Sequence, residues 1–306
     1  MKKEPIRHHY IPQFILRNFC DEKGFLNYCE KKTNKIMLRK PQDIFMGVNM
    51  YRDEINHVEN PVKIETDLAR FENEVSKIIK EKFLVGNKVI ITREEDEKLK
   101  LFFAIMGFRS HNTQYMFSEG ISLESVDMYS QYQGDGNFQD TWKRNLGYLA
   151  NCRSLEEILN HKKIDDPIKI FMMRDIFGIT GLYFCVAEKR EGTGFIIGDT
   201  YPAVVTGLDE HDLLQIHIYS INPISPNRVI LLVSNGAEGA RADVLGFRRC
   251  VVYKPKMNFE ESVITIHVKK LYSEEVQEIN RNIVEVAKVG FVFPEAQMEE
   301  TKDLLG

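Results

Sequence analysis

The chain has 306 residues, of which 43% are hydrophobic, 10% aromatic and 28% charged. That is an ordinary globular profile, with enough apolar residues for one large domain or two small ones. A net charge of −4 excludes a global electrostatic pull toward nucleic acid or an anionic membrane, and the five cysteines form no C-x-x-C pair, which excludes the common zinc patterns.

The elements follow in chain order. Pro12 opens a short amphipathic turn carrying Phe14, Ile15, Leu16 and Phe19. FLNYCE and KIMLR, either side of the polar KKTNK, predict a β-hairpin over 24–40. Residues 43–51 read as an irregular link. After Pro61, apolar residues recur at spacings of three and four (Ile64, Leu68, Phe71, Val75, Ile78, Ile79), which predicts a strong amphipathic helix ending near Gly86. Thr92, followed by acids, is an N-cap for a second long helix running through the FFAIMGFRSHNT stretch.

Residues 120–165 are less patterned. QYQGDGNFQD predicts a loop or insertion, and SLEEILNH a short capped helix. DPIKIFMMRDIFGITGLYFCVAEK (166–189), apolar nearly all round, predicts a third long helix at the centre of the fold. The pattern then changes. GFIIG, AVVTG, LLQIHIYSI, RVILLVS, CVVYK and SVITIHVKK are β-branched runs of strand length. SEEVQEINRNIVEVAKVG is a capped closing helix with Gly290 behind it, and FVFP is a last short strand.

This order predicts an α+β fold. Long amphipathic helices and an N-terminal β-hairpin fill the first two-thirds, and a mixed or antiparallel sheet closed by a helix fills the last third. No linker-like sequence marks the change, so one domain is expected over 1–306, helix-rich over about 1–190 and strand-rich over about 191–306. The opening MKKEPIRHHY lacks the apolar run of a secretory signal, and charge interrupts every apolar stretch well before 18 residues. A cytoplasmic protein without a membrane partner is the expectation.

HHYIPQFILRNF, from His8 to Phe19, resembles the opening HHY-x-P-x-x-x-L-x-x-F block of the bacterial family DUF4238. Further matches fall in the same order: the hairpin over 24–40, IETDLARFE (Ile64–Glu72), Arg109, GFIIGDTYPAVV against a TSDNPV strand end, INPISPNRVILLV against PLSPD, and EINRNIVEVA in the closing helix. The resemblance spans about 6–295. GDTYP carries one residue more than the family's S-D-N-P, with Asp199 still matched, and 120–165 matches no family block. The resemblance implies a bacterial, cytoplasmic setting and a set of marked positions, without an activity.

Those positions allow two readings. His8 and His9 alternate in direction on an extended segment, and an imidazole is both a common metal ligand and a good proton carrier near pH 7. Asp199 ends a strand, and Glu65 and Glu72 share a helix face. His9, Glu65, Glu72 and Asp199 are therefore the candidate ligands of a divalent Mg²⁺ or Mn²⁺ ion. His8, His9, Asp199 and Arg109 are the candidate catalytic residues. The first 40 residues carry ten Lys/Arg against four acids, so Arg7, Arg17, Lys31 and Lys32 are candidate substrate contacts, and nucleic acid through the basic hairpin is the partner they suggest. The other candidate partners are a second copy of the chain or another protein. Together these features predict a metal-dependent nuclease or phosphodiesterase, with anti-phage defence as a setting. Its HH-x-x-P string is similar to that of His-Me finger nucleases, with only Asn49 or His57 available as the further ligand.

The alternative is a non-catalytic binding or sensing protein of a defence or toxin–antitoxin pair. In that case the histidines pack against the following helix, Asp199 caps its turn and Arg109 forms a structural ion pair. Asn222 and Asn227 then serve as turn residues, and Asn280, unfavourable in mid-helix, bonds to backbone.

Overall fold

The computed structural model describes residues 6–119, 138–166, 168–169, 182–208, 215–234, 256–258 and 263–297. The first elements are β1 (Arg7–His9), α1 (Gln13–Arg17), β2 (Leu26–Glu30), β3 (Lys35–Arg39) and β4 (Met46–Val48). Helix α2 (Lys63–Ile78) continues into a π-helical turn, Ile79–Phe83, and is followed by β5 (Lys88–Thr92), α3 (Arg93–Phe108), α4 (His111–Glu119), α5 (Phe138–Leu149) and α6 (Leu155–Asn160). The strands β6 (Leu182–Lys189), β7 (Ile197–Gly198), β8 (Ala203–Leu208), β9 (Gln215–Ser225), β10 (Arg228–Ser234), β11 (Lys256–Asn258), β12 (Val263–His267) and β13 (Lys269–Leu271) come next. Helix α7 (Ser273–Val286) and β14 (Gly290–Phe293) close the described chain. The fold is α+β with antiparallel and mixed sheets. CVVYK at 250–254 and all of 120–137 lie outside the described residues.

Two compact units divide these elements, and the chain passes between them five times. The first comprises Met1–Tyr10, Phe45–Lys77 and Glu97–Ile176. In it β1 and β4 pair antiparallel, with His8 opposite Gly47. The predicted stripe on α2 is buried through Ile64, Leu68, Phe71 and Val75. It meets an apolar face of α3, where Phe71 and Phe102 pack edge to face at 6.0 Å. Trp142, fully buried on α5, donates its indole N–H to the Phe108 carbonyl at 3.0 Å, which satisfies the one polar atom such a large side chain carries into a core.

The second unit comprises Ile11–Ile44, Ile78–Asp96 and Phe177–Gly306. Its largest sheet has the order β13-β6-β10-β9-β8, antiparallel except for the parallel β13–β6 pair. The hairpin β2–β3 joins β14 and β7 in a four-stranded sheet, and β5 lies beside β12 in a three-stranded one. Apolar residues of β8, β9 and β10 share one core with Val276, Ile279 and Ile283 of α7 and with Phe291 and Phe293.

Three elements differ from the sequence expectation. The third long helix, expected over 166–189, is replaced over its last third by strand β6, whose backbone pairs with β10 along one edge and β13 along the other. Residues 170–181 of that segment lie outside the described set. The link at 43–51 contains β4, which exists only because β1 pairs with it. The second long helix breaks after Phe108. Ser110 accepts the Thr113 N–H at 3.1 Å and starts α4 afresh. The Thr92 N-cap expectation holds in full as a capping box: the Thr92 hydroxyl accepts the Glu95 N–H at 3.1 Å, and the Glu95 carboxylate accepts the Thr92 N–H at 2.8 Å.

Candidate functional site

Arg109 is the centre of the polar cluster in the first unit. It follows α3 directly and is only 1% exposed. Its Nη1 donates to Glu72 Oε1 on α2 at 2.5 Å, and its Nε donates to the Tyr10 carbonyl at 3.4 Å. The guanidinium lies 6.0 Å from the Tyr51 ring centroid, and the Tyr51 hydroxyl donates to the Arg109 carbonyl at 3.2 Å. Among the described residues Arg109 Nη2 is buried with no hydrogen-bond partner. Burial is the largest single influence on Arg109 and opposes its charge, but the interactions with Glu72, Tyr51 and Glu65 together outweigh it and raise the guanidinium further above its ordinary value.

Glu65 stands two turns before Glu72 on α2. Burial pushes its carboxyl up to about 7. The Arg109 charge pulls the other way, and the Glu72 charge adds to the rise. No hydrogen bond from a described residue lowers it. Glu65 is thus a carboxyl that burial holds toward its protonated form, within electrostatic reach of a cation whose donor set is incomplete. The cluster offers a donor for an anionic oxygen and a carboxyl suited to proton exchange.

The histidines hold the frame behind this pair. His8 is fully buried. Its Nδ1 accepts the Tyr51 N–H at 2.7 Å, and its ring stacks on Tyr51 at 5.5 Å with 9° between the planes. His9 is also buried, and Tyr10 packs against Phe45 and His111. Neither histidine is exposed: β4 pairs along the edge of β1, and Tyr51 of the following turn bonds His8. Asn49 adopts a left-handed φ of 53° in that turn, and its N–H donates to the Ile6 carbonyl at 2.8 Å. His57 lies close against Gly147 of α5, where an added Cβ would come within 2.9 Å of its Nε2.

The remaining sequence candidates lie in the second unit, apart from the exposed Arg7 on β1. Asp199 is nearly buried, and its Oδ1 accepts the N–H groups of Lys288, Val289 and Gly290 at 2.9, 3.1 and 3.2 Å. It clamps the turn between α7 and β14. Burial raises its carboxyl, and the backbone donors hold that rise back. The Lys31 ammonium donates to the carbonyls of Val284, Glu285 and Ala287 at 2.6, 3.1 and 2.8 Å, so it caps the C-terminus of α7, where a cation is favoured. Arg17 donates to Gln13, and Lys32 is exposed. Asn280 bonds backbone as expected, donating to the Gly194 carbonyl and accepting the Ile196 N–H. Asn222 is buried inside β9 rather than in a turn.

Among the described residues no group of three or more His, Cys, Asp or Glu is placed to hold a metal ion; of the four candidate ligands, His9, Glu65 and Glu72 belong to the first unit and Asp199 to the second. Sequence reasoning named Arg109, Glu65 and Glu72 but missed Tyr51, whose position in an unpatterned loop carries no signal until β1 is seen to pair with β4.

Fold and cluster define an α+β protein with a buried arginine–carboxylate site. The chain belongs to the DUF4238 family, proteins of unknown function, whose model matches residues 7–295. No curated protein and no solved structure matches it. Among the described residues no helix is long and apolar enough to cross a membrane.

Proposed function

We propose that the chain is a phosphodiesterase acting on nucleic acid, with Arg109 holding the phosphate and Glu65 transferring the proton. One observation supports this above the others: a fully buried guanidinium keeps one nitrogen without a described hydrogen-bond partner next to a carboxyl pushed up to about 7. A buried charged donor left unmatched is costly, and a ligand oxygen supplies the missing acceptor. Glu65 serves as general base when ionised and as general acid when protonated, and a value near the working pH makes both forms available. Tyr51, His8 and Tyr10 act as positioning residues that hold Arg109. The Lys32, Lys35, Arg39 and Lys40 side chains near the hairpin are exposed and favour a polyanionic substrate. A divalent cation, Mg²⁺ or Mn²⁺, belongs to this reading as an ion brought in by the substrate's phosphates.

The test is degradation of plasmid DNA and total RNA by purified protein with Mg²⁺, Mn²⁺ or EDTA, beside Glu65→Gln. Cleavage lost in the variant, with its thermal unfolding unchanged or improved, is the expected result. A second reading, ligand binding without turnover, draws on the two histidines, which are buried in the frame rather than presented to a substrate. Nucleic-acid binding without cleavage under all three conditions would favour it.

A further inference from the structure

The charge count around Arg109 restricts what the site can accept. The Glu72 carboxylate, 21% exposed, already neutralises the guanidinium at 2.5 Å. Arg109 is the cation that acts on Glu65. Among the described residues the titratable groups that interact electrostatically with Glu65 are Arg109 from the end of α3, Glu72 on the same helix and Tyr51 from the 49–53 turn. Arg109 and Glu72, as an ion pair, sum to zero. One bound negative charge leaves the buried cluster at −1, and two leave it at −2. Uncompensated charge in a poorly solvated site is expensive, and each additional one more so.

We infer that the site takes a singly charged phosphodiester in preference to a doubly charged terminal phosphate, because Glu72 already neutralises Arg109 there. The inference deepens the phosphodiesterase reading and rests on its placement of the phosphate at Arg109. The substrate class then narrows to internal linkages of a chain rather than its phosphorylated ends. Glu72 is the residue that sets the limit: its charge turns away the dianion.

Calorimetric titration with dimethyl phosphate and with methyl phosphate separates the two charges without requiring cleavage. Methyl phosphate loses its second proton near pH 6, so it is mainly a monoanion at pH 5 and a dianion at pH 8. The expected result is similar affinity for both ligands at pH 5, and at pH 8 a dissociation constant for methyl phosphate at least about tenfold above that for dimethyl phosphate. The ratio between the two ligands removes any effect of pH that both share. In Glu72→Gln the ratio at pH 8 should fall to about one or reverse. Should that variant fail to fold, the wild-type ratio at the two pH values stands as the test. Methyl phosphate binding as tightly as dimethyl phosphate at pH 8, or no binding of either ligand, overturns the inference. Nucleic-acid cleavage is read separately on the same preparation. Cleavage with a ratio near one sinks the charge rule and leaves the phosphodiesterase reading, whereas a high ratio without cleavage does the reverse.

Discussion

At the scale of single residues, Glu65 links stability to pH. Its folded value, pushed up to about 7, lies above the 4.5 of an ordinary glutamate, so the folded state favours the protonated form. Its contribution is fully present below about 4.5 and is lost as pH rises through about 7. Glu65→Gln, a permanent mimic of the protonated form, should unfold at the same denaturant concentration as the wild type at pH 4.5. At pH 8 it should be more stable by at most about 3 kcal/mol, less any relief from solvent. Equal stability of the two proteins at both pH values would remove the raised carboxyl from the account. Arg109 behaves in the opposite sense. Arg109→Gln strips a buried partner from Glu72 and should cost about 3 kcal/mol, with any phosphodiester cleavage reduced about 100-fold or more. Adding Glu72→Gln to it should restore part of the stability and none of the cleavage. Arg109 was legible in the sequence because a lone arginine in LFFAIMGFRSHNT needs a partner, and the seven-residue spacing of Glu65 and Glu72 put both on one face. What the sequence withheld was the frame: the stacking of His8 on Tyr51 comes with a hydrogen bond between residues 43 apart, and no local pattern encodes it.

At the scale of elements, the closing helix α7 and strand β14 are joined by a turn that two distant side chains hold. Asp199 accepts three of the turn's N–H groups, and Lys31 donates to three of the carbonyls around the helix end. Both serve the same few residues, so their effects should not add. Asp199→Ala is expected to cost about 2–3 kcal/mol by leaving backbone donors buried and unmatched, and Lys31→Ala about 1 kcal/mol by removing a C-cap. A double-mutant cycle by urea unfolding should give a coupling above about 0.5 kcal/mol. Strict additivity would mean the two clamps act independently. Gly290 belongs to the same junction, since a Cβ there would collide with the Cys29 carbonyl and the Tyr28 ring. Local chemistry made much of this visible beforehand, including the amphipathic stripe of α2, the Thr92 cap and the polar turn of the β2–β3 hairpin. It failed where apolar runs carry no period. A stretch apolar on every face reads equally as a buried helix or a buried strand, and in LYFCVAEK only pairing with β10 and β13 decides the matter.

At the scale of the whole molecule, the composition change near residue 190 is a change of element type and not a seam. The four-stranded sheet sets β2 and β3 from the first 40 residues beside β14 from the last 20 of the described chain, and the three-stranded sheet sets β5 beside β12. The largest sheet likewise needs β6, which ends at Lys189, between β10 and β13. Neither compact unit is a continuous piece of chain. A cut at 190 would therefore strip β14 from β2, β12 from β5 and β10 from β6 together, exposing strand edges with unpaired backbone and an apolar face on each fragment. Fragments 1–190 and 191–306 expressed alone should be insoluble or lack cooperative thermal unfolding, whereas co-expressed they should associate and recover one transition. A fragment 1–190 that unfolds cooperatively by itself would show that the helices fold without their strand partners, and the interleaving of the chain would then be a feature of assembly rather than a condition of stability.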